Sequence, residues 1–268
     1  MALNEFNNIN REWLEGNTLK KIKEHMVLHK GFMAIIDKTA QRINKDKVKS
    51  LEIGCSTAID SYLLAEKNKN IEAHCIDISP ESIKTVKRIG KHFRLGVSAD
   101  VMDAERMDFK DGFFDIVFSQ GVIEHFRNPD KVMGEQKRVL KKGGFLVIDV
   151  PQKYTFYTLI KHRQIRKGTW PWGWETEYSK RQLVRLGKRH GLRLEKVYAY
   201  GYDGYMGFLR HPFKKVAKRN IYKGSKVLFA LCKALYGTIG WIWDALWGFV
   251  ERNFGVYLMM SIVAVFRK

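Results

Sequence analysis

The stretch Val48-Lys49-Ser50-Leu51-Glu52-Ile53-Gly54-Cys55-Ser56-Thr57-Ala58 passes from a short apolar run through one glycine into small and polar residues. Val48 to Ile53 predicts a strand, and Thr57 to Glu66 predicts a helix with Ser56 and Thr57 as capping candidates at its start. The unit recurs downstream. Ile71 to Ile78 reads as a second strand before a Ser79-Pro80 helix start, and Val97 to Met102 and Phe114 to Ser119 read as the third and fourth strands. Pro129 to Leu140 then predicts a helix, Lys141 to Gly144 a turn, and Phe145 to Val150 a continuous apolar strand of the kind buried on both faces. Upstream, the spacing of Trp13, Leu14, Ile22, Met26, Leu28, Phe32, Ile35 and Ile36 predicts one or two leading helices between Asn8 and Ile43. Alternation of this kind predicts an α/β fold with a doubly wound parallel sheet, because parallel neighbours need helical crossovers on the faces. In such sheets ligands bind at the carboxyl ends of the strands.

The chain has 268 residues, 45% of them apolar and 13% aromatic, which excludes a disordered class and suits one elaborated domain. Its three cysteines, Cys55, Cys75 and Cys232, are too scattered for a disulfide framework or a zinc knuckle. Polar and charged residues fill the first 25 positions where a signal peptide needs an apolar core, so a cytoplasmic location is expected. The 48 Lys and Arg against 28 Asp and Glu leave a formal charge of +20. That surplus predicts attraction to something anionic: nucleic acid, a phosphorylated substrate or an acidic membrane surface.

The loop at Gly54 lacks the three glycines of a dinucleotide-binding fingerprint, which weakens a nicotinamide reading. Asp77, at the end of the second strand, stands where a carboxylate can accept from both hydroxyls of a ribose, or else cap the following helix. Six stretches in order carry a more specific signal: Leu51 to Cys55, Cys75 to Ser79, Met102 to Phe109, Phe114 to Ser119, Val122 to Pro129 and Leu140 to Gly144. Together they resemble the class I S-adenosylmethionine-dependent methyltransferases, in particular the branch that includes the ubiquinone-biosynthesis O-methyltransferases.

The resemblance implies a Rossmann-like, mostly parallel seven-stranded sheet with an antiparallel last strand, and S-adenosylmethionine as the donor. It also implies that the loop carrying Glu52, Gly54 and Cys55 lies against the methionine moiety. Asp77 then holds the ribose and Asp103 the adenine amino group, with Ile78 and Ala104 flanking the ring and Ser119 and Gln120 lining the pocket floor. Ser56 and Ala58 depart from the glycines many members carry, and a crowded loop is expected there. His125 is the best-placed base for a hydroxyl acceptor, although Glu124 and His125 could equally serve only to hold their loop. The divalent-cation motif of the ubiquinone branch survives only as Glu124 and His125, Gly121 replacing its first acid, so no metal is expected.

After Pro151, the run from Lys153 through Trp174 is a cap insertion near residues 152–178 whose basic and aromatic side chains suit either acceptor recognition or a solvated loop. Ser179 to His190 predicts a capped helix, and Leu192 to Tyr200 and Tyr257 to Phe266 the last two strands. Between them six basic residues from Lys214 to Lys226 precede Val227 to Val250, whose only charges are Lys233 and Asp244. Wound as a helix, its polar positions fall in an arc of about 80 degrees, leaving an apolar face that requires protein, a second subunit or lipid against it. Trp241, Trp243 and Trp247 favour an in-plane membrane helix or a re-entrant pair.

The expected organisation is therefore leading helices over 1–47, a methyltransferase domain over 48–203, a basic and apolar helical insertion over 204–254, and a final strand over 255–268. The expected activity is methyl transfer, most simply at oxygen, to a small-molecule or lipid-linked acceptor on the inner face of a membrane. An RNA-modifying methyltransferase and a non-catalytic membrane scaffold are the rival readings; the sequence sets no oligomeric state.

Overall fold

The computed structural model describes residues 31–93, 96–170, 173–201, 241–242, 245–246, 249–250 and 253–268. The expected helices before residue 31 and most of the basic and apolar insertion lie outside these. Helix α1 covers residues 31–40. It is followed by β1 (Val48–Ile53), α2 (Ile59–Lys67), β2 (Ile71–Asp77), α3 (Pro80–Phe93), β3 (Val97–Val101), β4 (Phe114–Gln120) and a 3₁₀ turn (Ile123–His125). Then come α4 (Pro129–Val139), β5 (Leu140–Pro151), α5 (Phe156–Arg166), α6 (Lys180–Arg189), β6 (Arg193–Tyr200) and β7 (Ser261–Arg267), with residues 253–258 helical between the last two strands.

The seven strands lie in the order β3-β2-β1-β4-β5-β7-β6, parallel except that β7 runs antiparallel to both β5 and β6. The strand alternation makes both faces apolar. In β4, Phe114 and Val117 face a cluster with Val132, Met133, Leu183 and Leu186 from α4 and α6, whereas Ile116 and Phe118 face Phe32, Ile36 and Leu64 from α1 and α2. Helix α6 crosses β7 closely enough that a Cβ on Gly187 would lie 2.3 Å from the Phe266 ring, so only glycine permits that packing.

Two boundaries differ from expectation for a physical reason. Lys141 to Gly144, expected as a turn, lies within β5, and the register against β4 breaks between Phe114 and Ile116 to accommodate the extra residues. The final strand begins at Ser261, because residues 253–258 close a helical turn and Met259 N–H donates to the Gly255 carbonyl (2.8 Å).

Candidate active site

One cleft opens at the carboxyl edge of the sheet. Ile53 and Gly54 at the end of β1, Ile76 to Ile78 at the end of β2, Met102 to Ala104 after β3, and Gly121, Val122, His125 and Phe126 after β4 line it. This is the edge on which a doubly wound sheet gathers ligand-binding loops. Gly54 holds φ at +67°, and a Cβ there would lie 2.5 Å from Val122 Cγ2, so the β1 and β4 loops meet across a position that has no room for a side chain.

The Asp77 carboxylate organises the β1 loop from across the strand gap. Its Oδ2 accepts from Ser56 N–H (2.8 Å) and its Oδ1 from Ser79 N–H (2.8 Å). Burial raises its pKa and the two amide hydrogen bonds oppose the rise. The carboxylate therefore fixes the loop and opens α3 while still lining the cleft. Ser56 and Ala58 adopt φ values of 48° and 52°, the left-handed backbone that glycine supplies without cost. Neither residue is part of the cleft lining, and the departure from glycine is carried as backbone strain.

Asp103 is exposed at the cleft, and its Oδ1 accepts from Glu105 N–H (2.8 Å). The segment carrying it is tied to α4: Arg138 donates to the Met107 carbonyl (2.7 Å) and Phe109 carbonyl (2.6 Å), and Glu135 accepts from Met107 N–H (2.8 Å). Ile78 is half exposed beside Asp77, and Ala104 is buried below Asp103.

Four residues expected at the pocket, Glu52, Cys55, Ser119 and Gln120, are not among the residues that line this cleft. The Glu52 carboxylate is turned onto α2, where Oε2 accepts from Ser61 N–H (3.0 Å) and Ser61 Oγ–H (2.5 Å). Burial, with Asp60 nearby, pushes its pKa well above the usual carboxylate range. Cys55 is buried against Cys75, and burial pushes its thiol pKa well up, which suits a packing residue rather than a nucleophile. Ser119 is fully buried, and its hydroxyl has no hydrogen-bond partner among the described residues. Gln120 Nε2–H donates to Tyr200 Oη (2.5 Å), whose own hydroxyl donates to Asp149 Oδ2 (2.7 Å).

His125 faces the cleft from the 3₁₀ turn, with its Nδ1 3.2 Å from the Trp174 carbonyl. A carbonyl only accepts, so that contact places the ring proton on Nδ1 and the lone pair of the neutral ring on Nε2. Burial lowers the pKa of the ring and Glu175 opposes the fall. Adjacent Glu124 is buried, and burial above all, with Glu175 and Asp149 adding to it, pushes its pKa well above the usual carboxylate range. No group of three metal-ligating side chains occurs among the described residues. Sequence reading missed Ile76, Met102, Gly121, Val122 and Phe126 as lining residues, although all but Gly121 fall inside the quoted motifs.

A family model described as a methyltransferase domain matches residues 44–188. An ajmaline N-methyltransferase of Rauvolfia serpentina is 34% identical over 100 residues, which cover 37% of this chain and 34% of that protein. The chain spans a third to a half of the length of the first curated relatives it matches. A ubiquinone biosynthesis O-methyltransferase of Pelagibacter ubique is 26% identical over 202 residues, covering 73% of this chain and 76% of its own. Among solved structures, a geranyl diphosphate C-methyltransferase of Streptomyces coelicolor A3(2), in complex with Mg²⁺, geranyl diphosphate and S-adenosyl-L-homocysteine, superposes with a TM-score of 0.58 at 12% identity. That match covers 92% of this chain and 82% of the other.

Proposed function

The chain belongs to the class I S-adenosylmethionine-dependent methyltransferases, and from that premise we propose that it transfers methyl groups to a small, hydrophobic or lipid-linked acceptor, at oxygen, at a membrane surface. The observation that carries the reading is the single cleft in which Gly54, Asp77, Asp103 and His125 meet. Its features fit the donor. The bare Gly54 gives backbone access, two carboxylates suit hydroxyl and amino donors and a cationic centre, and Ile78 and Ala104 offer apolar faces for a flat ring.

When bound, the sulfonium donor supplies an activated methyl whose leaving group is a neutral thioether. The chain's own part is then alignment, exclusion of water and removal of a proton. Asp77 holds the ribose with the lone pairs its two amide bonds leave over, and Asp103 takes the adenine amino group. Glu52, Cys55, Ser119 and Gln120 support the pocket from behind. His125 accepts the acceptor's hydroxyl proton at Nε2, and its lowered pKa keeps the ring neutral and ready to do so near pH 7.

The membrane reading is supported by the apolar insertion. Trp241, Ile242, Leu246 and Phe249 are all exposed, more than an isolated soluble surface ordinarily leaves bare. No helix among the described residues is long and apolar enough to cross a membrane. The test is to incubate the protein with methyl-labelled donor and host-cell lipid, RNA and small-molecule fractions. Label is expected in the organic phase, with none from Asp77→Ala and a rate reduced about 100-fold or more from His125→Ala at unchanged donor affinity. Label in RNA would overturn the acceptor assignment, and donor binding without label in any fraction would favour the scaffold.

A further inference from the structure

Lys161 belongs to a basic run in the sequence, yet it has no solvent exposure. Its Nζ is 2.9 Å from Glu175 Oε2 and 2.6 Å from Glu177 Oε1, and 5.6 Å from the centre of the Trp170 ring. A buried ammonium between two carboxylates is a poor source of stability, because well-packed apolar residues of similar size do as well or better. What the arrangement does supply is registration. Glu175 and Glu177 alternate along the strap formed by residues 173–178, and both are drawn onto one point of α5.

That strap holds the turn that carries His125. Thr176 N–H donates to the Glu124 carbonyl (2.9 Å), and the Trp174 carbonyl takes the Nδ1 contact of His125 (3.2 Å). The end of the strap is pinned by Tyr178 N–H to the Pro151 carbonyl and by Lys153 N–H to the Tyr178 carbonyl, both 3.0 Å. We infer that Lys161, through its ion pairs with Glu175 and Glu177, is a positioning residue that sets the tautomer and direction of the His125 imidazole. The basic run of the cap thus contributes one lysine inward, to the geometry of the base, and does not recognise the acceptor through it.

Of the charged groups in the cap, Glu175 raises the pKa of the ring and Lys161 lowers it, while the Arg127 guanidinium stacks 5.0 Å over Trp174. Detaching the strap removes the carbonyl that demands a proton on Nδ1 and so weakens the preference for the tautomer whose Nε2 can act as a base.

The inference rests on the reading of His125 as the base for its consequence in turnover, but its geometry is measured without any acceptor. The experiment compares long-range ¹⁵N–¹H spectra of the histidine rings in the full-length wild type and in Lys161→Met/Glu175→Gln/Glu177→Gln, with His125→Gln identifying the resonance. The wild type is expected to show the Nδ1–H form across pH 6 to 8, and the triple variant a mixture shifted toward Nε2–H. With a labelled acceptor in hand, kcat is expected to fall about 10-fold with donor affinity unchanged. Should the triple variant not fold, Glu175→Gln alone keeps the Lys161–Glu177 pair and is expected to show the same shift in smaller degree. An unchanged Nδ1–H signal in either folded variant overturns the inference. Full activity of His125→Ala alongside the spectral shift overturns the base assignment and leaves the positioning intact.

Discussion

Ser56 and Ala58 take the left-handed backbone two residues apart, in a loop whose shape the Asp77 carboxylate holds by accepting from Ser56 N–H. An L-residue in this region costs on the order of 1–2 kcal/mol relative to glycine. Ala58 recovers part of that by burying its methyl with Ile59 and Tyr62, while Ser56 is only partly buried. Ser56→Gly keeps the backbone donor and removes the strain. The gain is offset by the greater freedom of glycine in the unfolded chain, so a net stabilisation of about 0.5–1 kcal/mol is expected, seen as a rise of about 2–4 °C in thermal unfolding. A lower midpoint would mean that the loop is not strained at this position.

At the scale of elements, the start of β4 is tied to its surroundings by one carboxylate. Asp115 accepts from Lys45 Nζ (2.5 Å), Lys141 Nζ (2.8 Å) and Lys49 N–H (3.0 Å), joining the approach to β1 and the irregular start of β5. Burial alone would raise its pKa, but the hydrogen bonds from the two lysines and the Lys49 amide outweigh it and hold the group below the usual carboxylate value. The sign follows from linkage. A carboxyl whose folded pKa is depressed adds stability that is complete above its unfolded value of about 4 and is lost as pH falls through the lower folded value. Asp115→Asn is expected to cost about 1.5–3 kcal/mol at pH 7, with the difference from wild type shrinking toward zero in denaturant titrations taken from pH 5 to pH 2. A constant difference across that range would refute an ionic origin. The same logic of one residue fixing a long segment applies to Arg138, whose three-way contact with Met107, Phe109 and Glu135 holds the segment that presents Asp103.

For the whole molecule, the +20 charge and the exposed apolar residues of the 241–257 region act together only at a surface that offers both anionic groups and hydrocarbon. Binding to vesicles of acidic phospholipid is expected to exceed binding to zwitterionic vesicles at least 10-fold. The preference should shrink as salt is raised, because the electrostatic part is screened and the apolar part is not. Flotation through a density gradient measures both. Equal recovery with the two vesicle types would remove charge from the account, and no recovery with either would remove the membrane.

The order of strands and helices was legible in the chain because apolar runs ending at Gly54, Asp77 and Ser119 carry the period of buried parallel strands, and Ser179 with Gln182 forms the capping box its sequence announces. Asp77 and His125 were legible because a strand end places the residues after it at the ligand edge, whereas Asp103 was singled out only by the family resemblance of the stretch Met102 to Phe109. What the pattern could not convey was direction. Glu52 and Gln120 stand at the right strand ends, but their side chains are engaged by Ser61 and Tyr200, nine and eighty positions along the chain. Nothing in the cap's sequence set Lys161 apart from its basic neighbours; only the fold brings Glu175 and Glu177 onto it. Local sequence decided which elements form and where they end. The orientation of each polar side chain was settled by partners brought close only by tertiary packing, because a buried charge or amide must find its complement wherever the fold supplies one.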